Sequence, residues 1–285
     1  MAKRKRQISQ KVIDKRIKEG RGQATGVEYQ PWLRIQDVPS QGLVHRIKGW
    51  KTGRIHHLMS NLELNYFYVL EWSPLVVDIR EQYPLLPLEE TIELAEQCGV
   101  RHPTDPKSQE PVVMTTDFLI TIYGVPRQIE QARTIKPAHQ LVSERIQQKL
   151  EIERRYWLRR KIDWGIVTER EIPQTFCENV ALLHEHRELH DRLEVSDSQL
   201  QDLITVLTDY VTQDDISLRA AATQCDRRLG FEPGTSLGVA YHLLATRQWL
   251  IDMNAPLEPG HKLKLLALST AEIQQKEEVT SCSYV

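Results

Sequence analysis

The chain has 285 residues, of which 40% are hydrophobic and 27% charged, ordinary globular material that excludes a disordered or collagen-like polymer. At about 100–200 residues per domain, this length suits two domains. The formal net charge of −2 hides a split: residues 1–54 carry fourteen basic and four acidic side chains, residues 1–169 carry 27 and 21, and residues 170–285 carry 10 and 18, so the front suits a polyanion and the back does not.

The opening MAKRKRQIS has charge but no apolar segment and does not read as a signal peptide. No later run approaches the roughly 18 apolar residues of a membrane span. Cys98, Cys177, Cys225 and Cys282 lie far apart without a CxxC pair, which favours reduced thiols over a disulfide frame or zinc ribbon. Residues 8–19 spell a short basic helix, with Gly20 as its stop. A loop-like stretch containing Pro31 and Pro39 then runs to about residue 55, its cations interleaved with Tyr29, Trp32 and Trp50. That pattern fits a nucleic-acid surface, and it fits equally a basic arm wrapped around the domain. On the first reading the DNA-facing cations are Lys3, Arg4, Lys5, Arg6, Lys15, Arg16, Lys18, Arg21, Arg46, Lys48, Lys51 and Arg54.

Residues 60–72, SNLELNYFYVLEW, predict a buried helix capped by Ser60 and closed by Pro74. Strands follow at 75–83 and 112–123, and a turn at Gly124–Pro126 returns a partner strand over 127–136 that stops at Pro137. A charged helix over 139–160 and a strand over 162–168 complete a mixed α/β domain. Beyond residue 170, helices are expected at 174–190, 197–212, 215–229 and 235–248, with Asp197 and Asp214 as N-caps and Gly230 as a C-cap. Segments 249–253 and 263–268 flank a Pro/Gly turn. Helices followed by a hairpin match a winged helix, and residues 270–285 read as a polar tail. The organisation is thus an arm over 1–54, an α/β domain over 55–169, a helical domain over 170–269 and the tail.

Three tempting motifs fail. Gly20–Gly26 has the wrong glycine spacing for a dinucleotide loop and follows a basic helix instead of a strand. Gly234-Thr-Ser236-Leu-Gly238 matches a nucleophile elbow but lacks the strand that must precede it. His184, His186 and His190 cluster on one helix without an HExxH string or a third ligand, and read as surface histidines.

One constellation suits phosphodiester hydrolysis, which needs carboxylates for divalent metal, an activated water and a cation for developing charge. Asp117 lies inside an apolar strand, where a carboxylate is costly without a partner or a metal. Thr134 and Lys136, two apart on the returning strand, share a face by the pleat. Glu63 is a third candidate, although Ser60-Asn-Leu-Glu63 is also a capping box in which Glu63 would bond back to the Ser60 amide.

With these residues in view, the chain resembles the TnsA endonuclease subunits of heteromeric cut-and-paste transposases. The resemblance spans about residues 15–172 and is carried by RIKEGRGQ (16–23), PWL (31–33), VPS (38–40), HRI (45–47), KTGRIHHLMSNLEL (51–64), EW (71–72), DIREQYPLLP (78–87), HP (102–103), TDF (116–118), KPA (136–138) and LEIERRYW (150–157). Beyond residue 175 it rests on architecture. It implies a restriction-endonuclease-like N-terminal domain, a mixed sheet flanked by helices, followed by a winged-helix C-terminal domain. It also implies Mg2+-dependent cleavage, with Mn2+ as a substitute, of double-stranded DNA at the 5′ transposon ends, leaving 3′-hydroxyl and 5′-phosphate products. A TnsB-like transposase would handle the 3′ ends and a TnsC-like ATPase would regulate. The protein would be cytoplasmic and nucleoid-associated.

Residue by residue, the family's acidic helix residue falls on Glu63, its strand Asp on Asp117 and its Lys on Lys136. Where such nucleases carry Glu or Asp two positions before the Lys, and TnsA-like proteins carry Gln, this chain has Thr134, a weaker metal ligand. Metal would then draw on Glu63, Asp117, the Ile135 backbone carbonyl and Thr134 itself, with Glu153 supporting from the following helix. Segment 235–248 holds only one Arg and one His, and an acidic domain binds phosphates poorly. The C-terminal domain is therefore expected to bind protein, the ATPase above all. Two other readings stand beside this one: a stand-alone restriction-type nuclease or nickase, and a non-catalytic DNA-binding assembly factor.

Overall fold

A computed structural model describes residues 9–37, 43–189, 196–213 and 215–269. Lys3, Arg4, Lys5, Arg6, the VPS motif with Pro39, His190, Asp214, Cys282 and the 270–285 tail lie outside the described residues. The chain divides into two compact units, Met1–Ile172 and Pro173–Val285. Among the described residues no helix is long and apolar enough to cross a membrane.

The first unit opens with α1 (Gln10–Lys18), whose last turn carries Lys15, Arg16 and Lys18, a favourable placement of cations at a helix C-terminus. The stretch expected to be loop contains a hairpin, β1 (His45–Lys48) paired antiparallel with β2 (Ile55–Leu58). Four-residue strands rich in His, Arg and Lys carry no apolar alternation, so tertiary contacts decide them. Helix α2 (Asn61–Trp72) follows, with the Ser60 hydroxyl accepting the Glu63 amide at 3.1 Å.

Strand β3 (Val76–Pro84) pairs antiparallel with β4 (Thr115–Ile122), β4 antiparallel with β5 (Ile129–Ile135), and β5 parallel with β6 (Asp163–Val167), in the order β3-β4-β5-β6. A short turn suffices for the antiparallel pair β4–β5. The parallel pair needs a long crossover, and α4 (Glu144–Arg159), preceded by a 3-10 turn at Ala138–Val142, provides it. Helix α3 (Leu88–Gln97), unforeseen from the sequence, starts with Glu89 and Glu90 in its first turn, where the helix dipole favours acids. Leu94 and Ala95 of α3 pack with Leu119, Ala132 and the Ile152, Tyr156 and Trp157 side chains of α4. The result is the expected mixed sheet flanked by helices.

The second unit holds α5 (Gln174–His184), α6 (Asp197–Gln213), α7 (Leu218–Leu229) and α8 (Thr235–Ala245), then β7 (Trp249–Leu250) paired antiparallel with β8 (Ala267–Leu268). Ser196, not Asp197, caps α6: its hydroxyl accepts the Gln199 amide at 3.3 Å and the Gln199 side chain accepts the Ser196 amide at 2.9 Å, a capping box. Ser217 caps α7, and Gly230 ends that helix at φ +76°, a left-handed stop that suits glycine. The Gly234–Gly238 motif sits at the start of α8, where the Asp226 carboxylate accepts the Gly234 and Ser236 amides, both at 2.8 Å. Ser236 is fully buried, so the elbow-like string serves helix capping. His184 is buried instead of lying on the surface, and the His186 ring packs edge-on against Tyr241 at 4.9 Å.

Candidate active site

Asp117 and Lys136 come together as the strand spacing required. Asp117 Oδ2 accepts the Lys136 ammonium at 2.9 Å and the Ile135 backbone amide at 2.7 Å. The Lys136 ammonium also donates to the Ile135 carbonyl at 2.9 Å, and its own amide donates to the Val167 carbonyl of β6 at 3.0 Å. Lys136 is thus fixed by backbone on one side and by a carboxylate on the other. The Ile135 carbonyl, expected as a metal ligand, is occupied by this lysine.

Glu63 enters from the first turn of α2. Its capping role is real but differs from expectation: Oε2 accepts the Met59 amide at 2.9 Å, not the Ser60 amide, and Oε1 accepts the Ser60 hydroxyl at 3.2 Å. A further donor, unforeseen from sequence, is Gln82, whose amide nitrogen reaches Glu63 Oε2 at 3.4 Å while its amide oxygen accepts the Thr115 hydroxyl at 3.3 Å. The pairs Glu81↔Phe118 and Tyr83↔Thr116 bracket Gln82 and Asp117, so the two face each other across β3 and β4. Gln82 has φ +50°, a left-handed backbone that a non-glycine residue adopts at a cost of about 1–3 kcal/mol. That rotation turns its carbonyl out of the ladder to accept the Trp32 amide at 3.2 Å.

Thr134 does not aim its hydroxyl at Asp117. It donates to Glu153 Oε1, which also accepts the Thr116 hydroxyl at 2.7 Å and the Trp164 indole at 3.1 Å. Trp157 donates its indole N–H to Thr116 at 2.7 Å, extending the network into α4. Glu153 therefore lies behind Thr134 and bonded to it, with its carboxyl raised above the usual range by burial despite these donors.

Burial, then the Asp117 charge, push the Glu63 carboxyl up to about 7. Burial pulls the Lys136 ammonium down, but Asp117, Glu153 and Glu63 outweigh it and hold the lysine above its ordinary value. Lys136 is paired with Asp117, while burial biases the neighbouring Glu63 and Glu153 carboxyls toward the protonated form. Carboxylate oxygens are hard donors that fit Mg2+ or Mn2+, and Mg2+ commonly takes one or two carboxylates, water and substrate phosphate. Among the described residues no group of three or more acidic, His or Cys side chains is poised for metal.

The cations of the arm divide. Lys15, Lys18, Arg46 and Lys48 are exposed and Lys51 is half-buried. Arg16, Arg21 and Arg54 are buried and paired inside the unit, which corrects their assignment to the DNA-facing surface. Arg16 lies 3.8 Å and Arg21 2.6 Å from the Asp37 carboxylate. Arg54 grips Glu81 with two bonds of 2.9 and 2.5 Å. Tyr29 and Trp32, 3% and 1% exposed, belong to the interior and not to a base-stacking surface. Net charge cannot distinguish a solvent-facing arginine from one neutralised indoors.

A helix-flanked mixed sheet presenting Glu63, Asp117 and Lys136 at one point defines a nuclease-type α/β domain, here joined to a helical one. The sequence profile of TnsA-like endonuclease N-terminal domains matches residues 73–169, and that of TnsA endonuclease C-terminal domains matches residues 171–253. The chain is 48% identical over 185 residues to the Escherichia coli "Transposon Tn7 transposition protein TnsA", an alignment spanning 65% of this chain and 66% of that relative, just short of two thirds of its length. The chain belongs to the TnsA endonuclease family.

Proposed function

We propose that this protein is the metal-dependent endonuclease subunit of a transposase complex, cutting the 5′ ends of its transposon by phosphodiester hydrolysis. The Asp117–Lys136 contact at 2.9 Å, within charge range of Glu63, is the observation that supports the reading most directly. Glu63 and Asp117 would hold Mg2+, or Mn2+ in its place. Bound there, a divalent cation supplies an activated water and neutralises charge on the phosphate. Lys136, held by Asp117 and the Ile135 carbonyl, stabilises negative charge growing on the phosphoryl oxygens. Glu153 keeps Thr134 and Thr116 in place, and Gln82 keeps the Glu63 carboxylate turned inward. The exposed Lys15, Lys18, Arg46 and Lys48 suit contact with the DNA backbone.

The acidic second unit is read as a protein-binding domain, with a TnsC-like ATPase as its partner and a TnsB-like transposase acting at the 3′ ends. The deciding assay is cleavage of transposon-end DNA with Mg2+ or Mn2+, with and without the transposase and ATPase. Cleavage confined to the full mixture and lost in Asp117→Ala is expected. Cleavage by the purified chain alone would mark a stand-alone nuclease. Cleavage undiminished in Asp117→Ala would overturn the site assignment.

A further inference from the structure

Helix α4 carries Arg145, Lys149 and Glu153 at four-residue spacing, which puts all three on one face. The last of them is anchored in the site through Thr116, Thr134 and Trp164. Pro137, the Ala138–Val142 turn and Ser143 join Lys136 to α4, and Lys149 lies within charge range of Lys136. The other cations of α4 are matched by carboxylates, Arg154 and Arg155 by Glu151 at 2.8 and 2.6 Å and Arg159 by Glu93 at 3.1 Å, and Arg160 just beyond the helix is matched by Glu90 at 2.7 Å. Lys149 is different. Its side chain is exposed and, among the described residues, makes no ion pair with a carboxylate; partial desolvation, then the positive charges of Arg145 and Lys136, hold its ammonium below the ordinary lysine value. Arg145 is itself braced against neutral groups, the Arg101 carbonyl at 2.6 Å and the Gln148 amide oxygen at 3.0 Å. Lys149 and Arg145 thus stand on the helix face that leads to Glu153, whose carboxylate is already held by Thr116, Thr134 and Trp164, and cations so placed beside a phosphodiester site suit a polyanion.

We propose that Lys149, with Arg145 behind it, grips a backbone phosphate of duplex DNA next to the one cleaved at Asp117 and Lys136, without reading bases. This rests on the nuclease reading above. The test is fluorescence-anisotropy binding of a transposon-end duplex to the full chain, with Ca2+ replacing Mg2+, across a salt series. Lys149→Gln should weaken binding by roughly 3- to 10-fold at low salt and make the slope of log affinity against log salt shallower by about 1. Lys149→Arg should restore both, Arg155→Gln on the Glu151-paired side should change neither, and all should melt with the parent. An unchanged slope in Lys149→Gln, an equal loss in Arg155→Gln, or a parent chain that binds no duplex at any salt overturns the inference. Failure here and failure of the nuclease reading stay separable: a normal slope in Lys149→Gln leaves cleavage chemistry untouched, whereas cleavage by Asp117→Ala sinks the chemistry and leaves the slope result standing.

Discussion

Glu63 uses one carboxylate to cap α2 through Met59 and Ser60 and to face Asp117. Its carboxyl, pushed up to about 7 against an ordinary 4.5, binds a proton more readily folded than unfolded. The proton's stabilisation is therefore complete below about pH 4.5 and is lost as pH rises through about 7. A divalent cation competes with that proton, so the gain in melting temperature on adding Mg2+ should grow between pH 6 and 8, and Glu63→Gln should flatten the trend. Gln82 offers a sharper test. Gln82→Gly relieves the left-handed backbone, worth up to about 1 kcal/mol of stability, but deletes the amide that meets Glu63. Thermal melting should hold or rise while the Mg2+ needed for half-maximal cleavage increases several-fold; an unchanged metal requirement would remove Gln82 from the site. Asp117 was legible because a lone acid in an apolar strand demands explanation, and Lys136 because it follows on the return strand. Glu63 needed the family resemblance, since its spacing is that of a cap. Gln82 was invisible: the groups it meets, Trp32, Glu63 and Thr115, lie far away in sequence.

Among the elements, the β1–β2 hairpin depends most on buried charge. The fully buried Glu81 on β3 accepts Arg54 twice, the His56 ring at 2.8 Å and the His57 amide at 3.0 Å, while Glu71 of α2 accepts the Trp50 and Lys51 amides in the turn. The charges of His56 and Arg54 outweigh burial and hold the Glu81 carboxyl well below the usual range. Removing one partner of such a pair strands the other, so Arg54→Met should cost roughly 3–5 kcal/mol in urea unfolding. A loss under about 1 kcal/mol would mean that the hairpin is held by something else. Because β2 runs straight into Met59, Ser60 and Glu63, the same variant should also lose cleavage. The long apolar strands and α2 could be read from pattern alone. The hairpin could not, because its strands are short and polar and its stabilising groups lie on β3 and α2.

At the scale of the whole molecule, the charge split coincides with the division at Ile172 and Pro173. A fragment of residues 1–172 should fold on its own, with a cooperative melt and dispersed amide spectrum. It should lose association with the ATPase, which full-length protein retains in a pull-down; retention by the fragment would move the partner surface onto the front unit. The net charge of residues 1–54 overcounts the cations open to solvent, because Arg16, Arg21 and Arg54 are neutralised within the fold.

The outward carbonyl of Gln82 carries a practical consequence for anyone trimming the protein. Its acceptor role toward the Trp32 amide makes the N-terminal arm part of the wall behind Glu63. A truncation removing residues 1–8 leaves that amide in place and removes the four cations Lys3, Arg4, Lys5 and Arg6, an effect expected in salt sensitivity alone. One removing residues 1–43 takes away Trp32 with its Arg16 and Arg21 neighbours and should behave as an active-site lesion, with a raised Mg2+ requirement even where DNA is saturating. Comparing the two truncations in one metal titration distinguishes a tether from a structural wall.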